Sequence, residues 1–223
     1  MADRPVLVLD VNGTLSDTAA LGPRFAEQGA DPLLARLWFT SVLRDGIAIT
    51  AAGGNADFSA LAADLLPPLL DGQRLRAPLG EVVRTLTEAL AALPPRPDVG
   101  PGLQVLREAG FRIAALTNGS VANAERVLVA AGARERLEAV LSVQDLRAWK
   151  PASTAYLGAA RALGVEPGAA MLVAAHPWDL QGAAAAGMRT AWLRRDDPSF
   201  PSAMPAPEVV VDDLRDLARA LSA

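Results

Sequence analysis

The sequence predicts an α/β protein with a doubly wound parallel sheet, interrupted after its first strand by a domain made of helices alone. Three observations carry that expectation. Short apolar runs alternate with helical patterns along most of the chain, the mark of βαβ units and therefore of parallel strands. Glycines at 110, 132, 164 and 187 each follow a helical stretch, where a left-handed residue ends a helix before the next strand. Between residues 16 and 93 the periodicity is helical only.

Val6 to Leu9 is a short aliphatic run ended by Asp10, Asn12 and Gly13, which predicts a buried strand running into a tight loop. The segment 16–93 follows, with Leu33, Leu34, Leu37 and Trp38, then Val82, Val83, Leu86 and Leu90, at helical spacing. Pro94, Pro95 and Pro97 close it as a stiff connector. Helices are then expected over Gly102 to Ala109, Val121 to Ala131, Ser153 to Leu163 and Leu180 to Ala186. Between and after them, strands are expected over Phe111 to Leu116, Ala139 to Val143, Ala170 to Ala174, Thr190 to Leu193 and Val209 to Val211. Leu214 to Leu221 closes the chain as a packing helix. The expected domains are therefore an α/β core of residues 1–15 and 94–223 and a helical cap of residues 16–93. An insert leaving just beyond the first strand sits over the crevice where open α/β sheets bind ligands, and so acts as a lid.

Composition narrows the function. A chain of 223 residues can bury a sizeable core, and with no cysteine it has no disulfide, thiol nucleophile or thiolate metal site. A net charge of −4 argues against a nucleic-acid partner and leaves a small-molecule partner as the better fit. No apolar run is long enough for a signal-peptide core or a membrane span, so the expected compartment is the cytoplasm and no membrane is involved. The 21 basic residues comprise 20 arginines and one lysine, Lys150. A lysine kept against such a bias suits work that a guanidinium cannot do, because an ammonium is a compact donor with a tunable pKa.

Polar residues gather where the expected strands end. Asp10 follows the first, Thr117 and Asn118 the second, Lys150 lies in the loop after the third, and His176 and Asp179 follow the fourth. In a doubly wound sheet these positions converge on one crevice, and they bring two carboxylates, an ammonium, a hydroxyl and an amide within reach of one another.

The segments Asp10-Val11-Asn12-Gly13-Thr14-Leu15, Leu116-Thr117-Asn118-Gly119-Ser120, Trp149-Lys150-Pro151 and Ala174-Ala175-His176-Pro177-Trp178-Asp179 resemble, in order, the four motifs of the haloacid dehalogenase (HAD) superfamily. Within it the chain is most similar to the type II L-2-haloacid dehalogenases. The resemblance implies a Rossmann-like core with a helical cap, and an aspartyl-ester reaction. Asp10 would be the nucleophile, Lys150 would keep it ionised, Thr14 would orient it and Asp179 would steer or activate the hydrolytic water. His176 joins them as a catalytic candidate able to accept a proton. Thr117 and Asn118 would orient the nucleophile and bind the substrate carboxylate. Val11, Asn12, Phe39 and Trp178 are assigned to substrate contacts; the aromatic pair, with Trp38 and Trp149, suits either a water-excluding wall or ordinary packing. Tyr156 matches a tyrosine near the family site and suits core packing equally well.

The chemistry divides at Asn12. Phosphatase members of the family carry an aspartate there as general acid, and asparagine has no proton to give, a deficit of roughly 10²- to 10⁴-fold. Ala174-Ala175 also removes an oxygen ligand that Mg²⁺ would need. A halide leaves as a stable anion without a proton or a metal. The resemblance thus implies metal-independent hydrolysis of a small 2-haloacid to a 2-hydroxy acid, with no cofactor. A Mg²⁺-dependent phosphatase and a catalytically silent binding protein stand as alternatives. Three departures from the family pattern stand out: Phe39 where an arginine contacts the departing halide, Ala174 in place of a serine, and His176 in place of an asparagine. Members of the family often pair as dimers, which apolar cap residues permit.

Overall fold

Every apolar run expected to be a strand lies in one six-stranded parallel sheet, in the order β3-β2-β1-β4-β5-β6. The computed structural model describes residues 4–196 and 199–222. In chain order the elements are β1 (Val6–Leu9), α1 (Leu21–Glu27), α2 (Leu34–Ala51), α3 (Phe58–Asp64), α4 (Leu66–Leu69), α5 (Leu79–Ala91), α6 (Val99–Glu108), β2 (Ile113–Thr117), α7 (Val121–Ala130), β3 (Ala139–Ser142), α8 (Ser153–Ala162), β4 (Ala170–Ala174), α9 (Pro177–Ala185), β5 (Arg189–Leu193), β6 (Val209–Val211) and α10 (Leu214–Ser222). Two compact units result. One joins the residues up to Ser16 to those from Pro95 onward, and the other is Asp17–Pro94.

In the first unit the central strands β1, β2 and β4 are buried along their whole length. Both faces of a parallel sheet are covered by helices, so its strands are continuous apolar runs and do not alternate. β1 lies between β2 and β4, with Leu7 opposite Ile113 on one side and Met171 on the other. The chain first builds outward from β1 through β2 to β3, then crosses to β4 and builds the other way. That reversal leaves a crevice at the carboxyl ends of β1 and β4, where ligands of such sheets bind.

Three elements start two or more residues away from the sequence expectation. α6 begins at Val99, ahead of Gly102, and β2 begins at Ile113, after Phe111. α9 begins at Pro177, ahead of Leu180, because a proline at the first helical position loses no hydrogen bond. His176 is consequently the residue capping α9, and Asp179 stands in its first turn, where the helix dipole favours a carboxylate.

The second unit contains α1 to α5 and, among its described residues, no strand. Trp38 is its anchor: fully buried, 5.6 Å from the Phe25 ring, with its indole N–H donated to the Ala62 carbonyl at 2.8 Å. The buried face of α2 is Ala35, Trp38, Phe39, Val42 and Gly46. Leu33 and Leu37, expected to share the apolar stripe with Trp38, are 78% and 51% exposed. Positions 35, 38, 39 and 42 follow the 3- and 4-residue steps of one helix face, which 33 and 37 do not join. In α5 the buried Val82, Leu86 and Leu90 keep the i, i+4, i+8 spacing. Among the described residues no helix is long and apolar enough to cross a membrane.

Candidate active site

The site starts from a hairpin-tight loop at the end of β1. Asp10 continues the pairing of β1 with β4 by donating its N–H to the Val173 carbonyl at 3.0 Å. The Val11 carbonyl then accepts the N–H groups of Thr14, Leu15 and Ser16 at 3.2, 2.9 and 3.0 Å. So sharp a turn needs a left-handed residue, and Gly13, at φ +80°, supplies it without the strain a side chain would add. The turn carries Thr14 back over Asp10. Its hydroxyl donates to Asp10 Oδ2 at 2.5 Å and accepts the Ala175 N–H at 2.9 Å, tying the ends of β1 and β4 together.

Lys150 has no exposed surface, so each of its three N–H donors needs a protein acceptor. They go to Asp10 Oδ1 at 2.6 Å, Asp179 Oδ2 at 2.7 Å and the Leu116 carbonyl at 3.1 Å. Its backbone is held by Asn118, whose amide oxygen accepts the Lys150 N–H at 2.9 Å and whose amide nitrogen lies 3.4 Å from the Lys150 carbonyl. Thr117 accepts the Gly119 N–H at 3.0 Å, and the Ser142 hydroxyl donates to the Gly119 carbonyl at 2.7 Å. The ends of β2 and β3 thereby shape the loop that presents the ammonium.

Asp179 is equally buried. Its Oδ1 lies 2.5 Å from the Tyr156 hydroxyl, which is also 3.0 Å from the Asp179 carbonyl oxygen. Tyr156 belongs to α8, and it reaches Asp179 because α9 carries Gly182 at the crossing. A methyl group there would stand 2.7 Å from the phenol oxygen and 2.5 Å from Pro151 Cβ. His176 places Nδ1 3.2 Å from Asp10 Oδ2 and rests against Trp178, ring centroids 5.3 Å apart. The carbonyl before it, that of Ala175, accepts the Trp192 indole N–H at 3.0 Å.

Electrostatics separate the two carboxylates. Burial alone would push Asp10 up, but the Lys150 charge and the His176 hydrogen bond outweigh it and hold the carboxyl well below its ordinary 3.8. Asp179 is raised above 3.8: burial and the nearby Asp10 charge outweigh what Lys150 and Tyr156 give back. Lys150 also loses by burial, yet the two carboxylates raise it above 10.5, so it stays an ammonium. Burial and the Asp179 charge push the Tyr156 phenol far up and keep it a neutral donor.

The structure thus gathers Asp10, Thr14, Lys150, Asp179, His176, Asn118 and Tyr156. Thr117 adjoins them through the backbone. Val11 turns its side chain into the core, so only its backbone faces the turn, while Asn12 and Trp178 are half-buried. Phe39 belongs to the other unit, on α2, and is 8% exposed. Sequence reasoning missed the Leu116 carbonyl, the Ala175 backbone, Trp192 and the close helix crossing that Gly182 allows. Only Gly182 left a signal, three residues after Asp179; the others depend on which strands lie side by side. Among the described residues, no three His, Asp or Glu side chains are grouped so as to hold a metal ion.

A family model described as haloacid dehalogenase-like hydrolase matches residues 5–187. Among characterised proteins, haloacetate dehalogenase H-2 of Moraxella sp. (strain B) is 29% identical over 207 residues, 92% of each chain. (S)-2-haloacid dehalogenase 4A of Burkholderia cepacia is 32% identical over 190 residues, 84% of this chain and 82% of that one. A crystal structure of a dehalogenase with an intermediate complex superposes with a TM-score of 0.90 at 28% identity, covering 100% of this chain and 99% of that one.

Proposed function

This chain belongs to the haloacid dehalogenase-like hydrolases, and we propose that it hydrolyses a small 2-haloacid to the 2-hydroxy acid through an ester formed on Asp10. The observation that carries this reading is a single carboxylate held ionised by a buried ammonium and two further donors, at the switch point of a parallel sheet.

In the first step a carboxylate oxygen of Asp10 displaces the halogen from C2. The C–X electron pair leaves with the halide, and no proton is required. In the second, water attacks the ester carbonyl carbon and the Cγ–O bond to the product breaks. The former Asp10 oxygen stays on C2 as the product hydroxyl, and the carboxylate is restored with one oxygen from water and release of one proton. Lys150 and Thr14 fix the nucleophile and stabilise charge as it moves between its oxygens. His176, with Nδ1 beside Asp10, is positioned to take the proton of the hydrolytic water. Asp179, walled in by Lys150 and Tyr156, acts by holding the ammonium. Asn118 acts by holding the Lys150 backbone. Thr117, Val11 and Asn12 border the substrate from the core unit. Phe39, in the helical unit, is apolar where the family pattern has an arginine. Asn12 has no proton to lend an alkoxide leaving group, which favours carbon–halogen over phosphate-ester cleavage.

The helical unit acts as the cap that sets substrate choice, and the exposed Leu33 and Leu37 at the start of α2 support pairing of two copies. A cytoplasmic place of action accords with the cysteine-free composition. Halide release from a panel of 2-chloro- and 2-bromoalkanoates, with chelator or with Mg²⁺, tests the function. We expect release that is indifferent to both. Mg²⁺-dependent phosphate release from an aryl phosphate, with every haloacid intact, would refute it.

A further inference from the structure

We infer that Arg195, through the backbone of Thr14, is a positioning residue for the nucleophile. The inference rests on the Asp10 ester reading and assigns work to a buried pair that reading does not use. Consecutive arginines leave β5 in opposite directions. Arg194 lies at the surface, paired with Asp212. Arg195 turns inward until its side chain is 8% exposed. Its Nε donates to the Thr14 carbonyl at 3.2 Å, and its Nη2 lies 3.0 Å from Asp98 Oδ1, an ion pair without hydrogen-bond alignment. Asp98, itself 8% exposed, uses Oδ2 to accept the Leu214 N–H at 3.0 Å. A continuous path therefore runs from the start of α10 through Asp98 and Arg195 to Thr14, whose hydroxyl grips Asp10 Oδ2 at 2.5 Å.

Stability alone is a poor reason for this arrangement. Two buried charges bear a desolvation cost that their attraction barely repays, and well-packed apolar residues generally do as well. What a guanidinium adds is direction, because its planar Nε–H is fixed on the Thr14 carbonyl while its charge faces the Asp98 carboxylate. The target is well chosen. Within the nucleophile turn the N–H groups of residues 14 to 16 close on Val11, whereas the Thr14 carbonyl finds its donor in Arg195, outside the turn. Next to it the Leu15 carbonyl accepts the Arg96 N–H at 2.8 Å, so two carbonyls in succession are held from outside the turn. Fixing that peptide fixes the rotation of Thr14 and with it the angle at which Asp10 meets carbon. Misplacement by about 1 Å at such a centre can cost about 10²-fold in rate.

The test measures single-turnover ester formation on Asp10 by rapid quench and mass analysis, with 2-chloropropionate, in Arg195→Met alone and in a Thr14→Val background. Arg195→Met should slow ester formation by ~10- to 100-fold with KM within about twofold, and by less than about twofold once the Thr14 hydroxyl is gone. Arg195→Lys, which keeps the charge but not the planar Nε–H, should recover only part of the rate, and it replaces the methionine variant if that one fails to fold. Equal losses in both backgrounds, or an unchanged ester rate with only a lower Tm, would assign Arg195 a purely structural role and overturn the proposal. Absence of any ester in the unsubstituted protein would overturn the Asp10 reading first, and this inference with it.

Discussion

Lys150 sits between two acids that it treats unequally, and the difference decides which of them can be a nucleophile. Asp10 shares Lys150 with Asp179 but adds Thr14 and His176 as donors, whereas among the described residues Asp179 adds Tyr156. The first carboxyl is accordingly lowered and the second raised. Lowering Asp10 favours folding above its ordinary 3.8, a contribution lost as the pH falls below that value; raising Asp179 acts with the opposite sign, favouring folding only while that group is protonated. Lys150, raised above 10.5, contributes at all pH values below that and loses its contribution only as the pH climbs through its folded value. On acidification the first proton should therefore enter Asp179 and leave Asp10 ionised. NMR of aspartate ¹³C-labelled at the carboxyl carbon, assigned with Asp10→Asn and Asp179→Asn, checks the order. Titration of Asp10 before Asp179 would contradict it.

At the scale of elements, the site depends on helices approaching closely where sequence alone leaves room for doubt. α8 and α9 cross at Gly182, and that absence of a side chain lets Tyr156 reach Asp179. Gly182→Ala should lower unfolding free energy by about 1–3 kcal/mol, as overpacking of a tight core does, and should reduce halide release as Tyr156 is displaced. Urea unfolding with a parallel rate assay checks it; a variant within about 0.5 kcal/mol of the parent would contradict the crossing. β1 and β4 were legible to the residue, since strands buried on both faces are apolar throughout and end abruptly at polar groups. The start of α9 was not, because Pro177 resembles a loop residue until its place at the first helical position is known. Asp10, Lys150 and Asp179 were legible as strand-end polar residues. The role of Asn118 was not, because its amide answers to the backbone of a residue 32 positions away, and no spacing reports that. Leu33 and Leu37 misled because they lie next to the buried stripe in sequence but off it in helical angle.

For the whole molecule, the sheet order explains why residues 10, 150 and 179 meet: β1 lies between β2 and β4, β3 lies beside β2, and the segments that follow β1, β3 and β4 carry the three residues to one edge of the sheet. The core unit supplies this chemistry from within itself, and the helical unit is a separate compact body with its own buried centre at Trp38. What the chain does then turns on whether its first carboxylate becomes covalently bonded to substrate. One turnover in H₂¹⁸O with enzyme in excess over a 2-haloacid decides this by mass analysis of the hydroxy acid and of the peptide bearing Asp10. The ester route predicts ¹⁸O in the Asp10 carboxylate and none in the first product; ¹⁸O in the product with Asp10 unlabelled would mean that water attacks carbon directly.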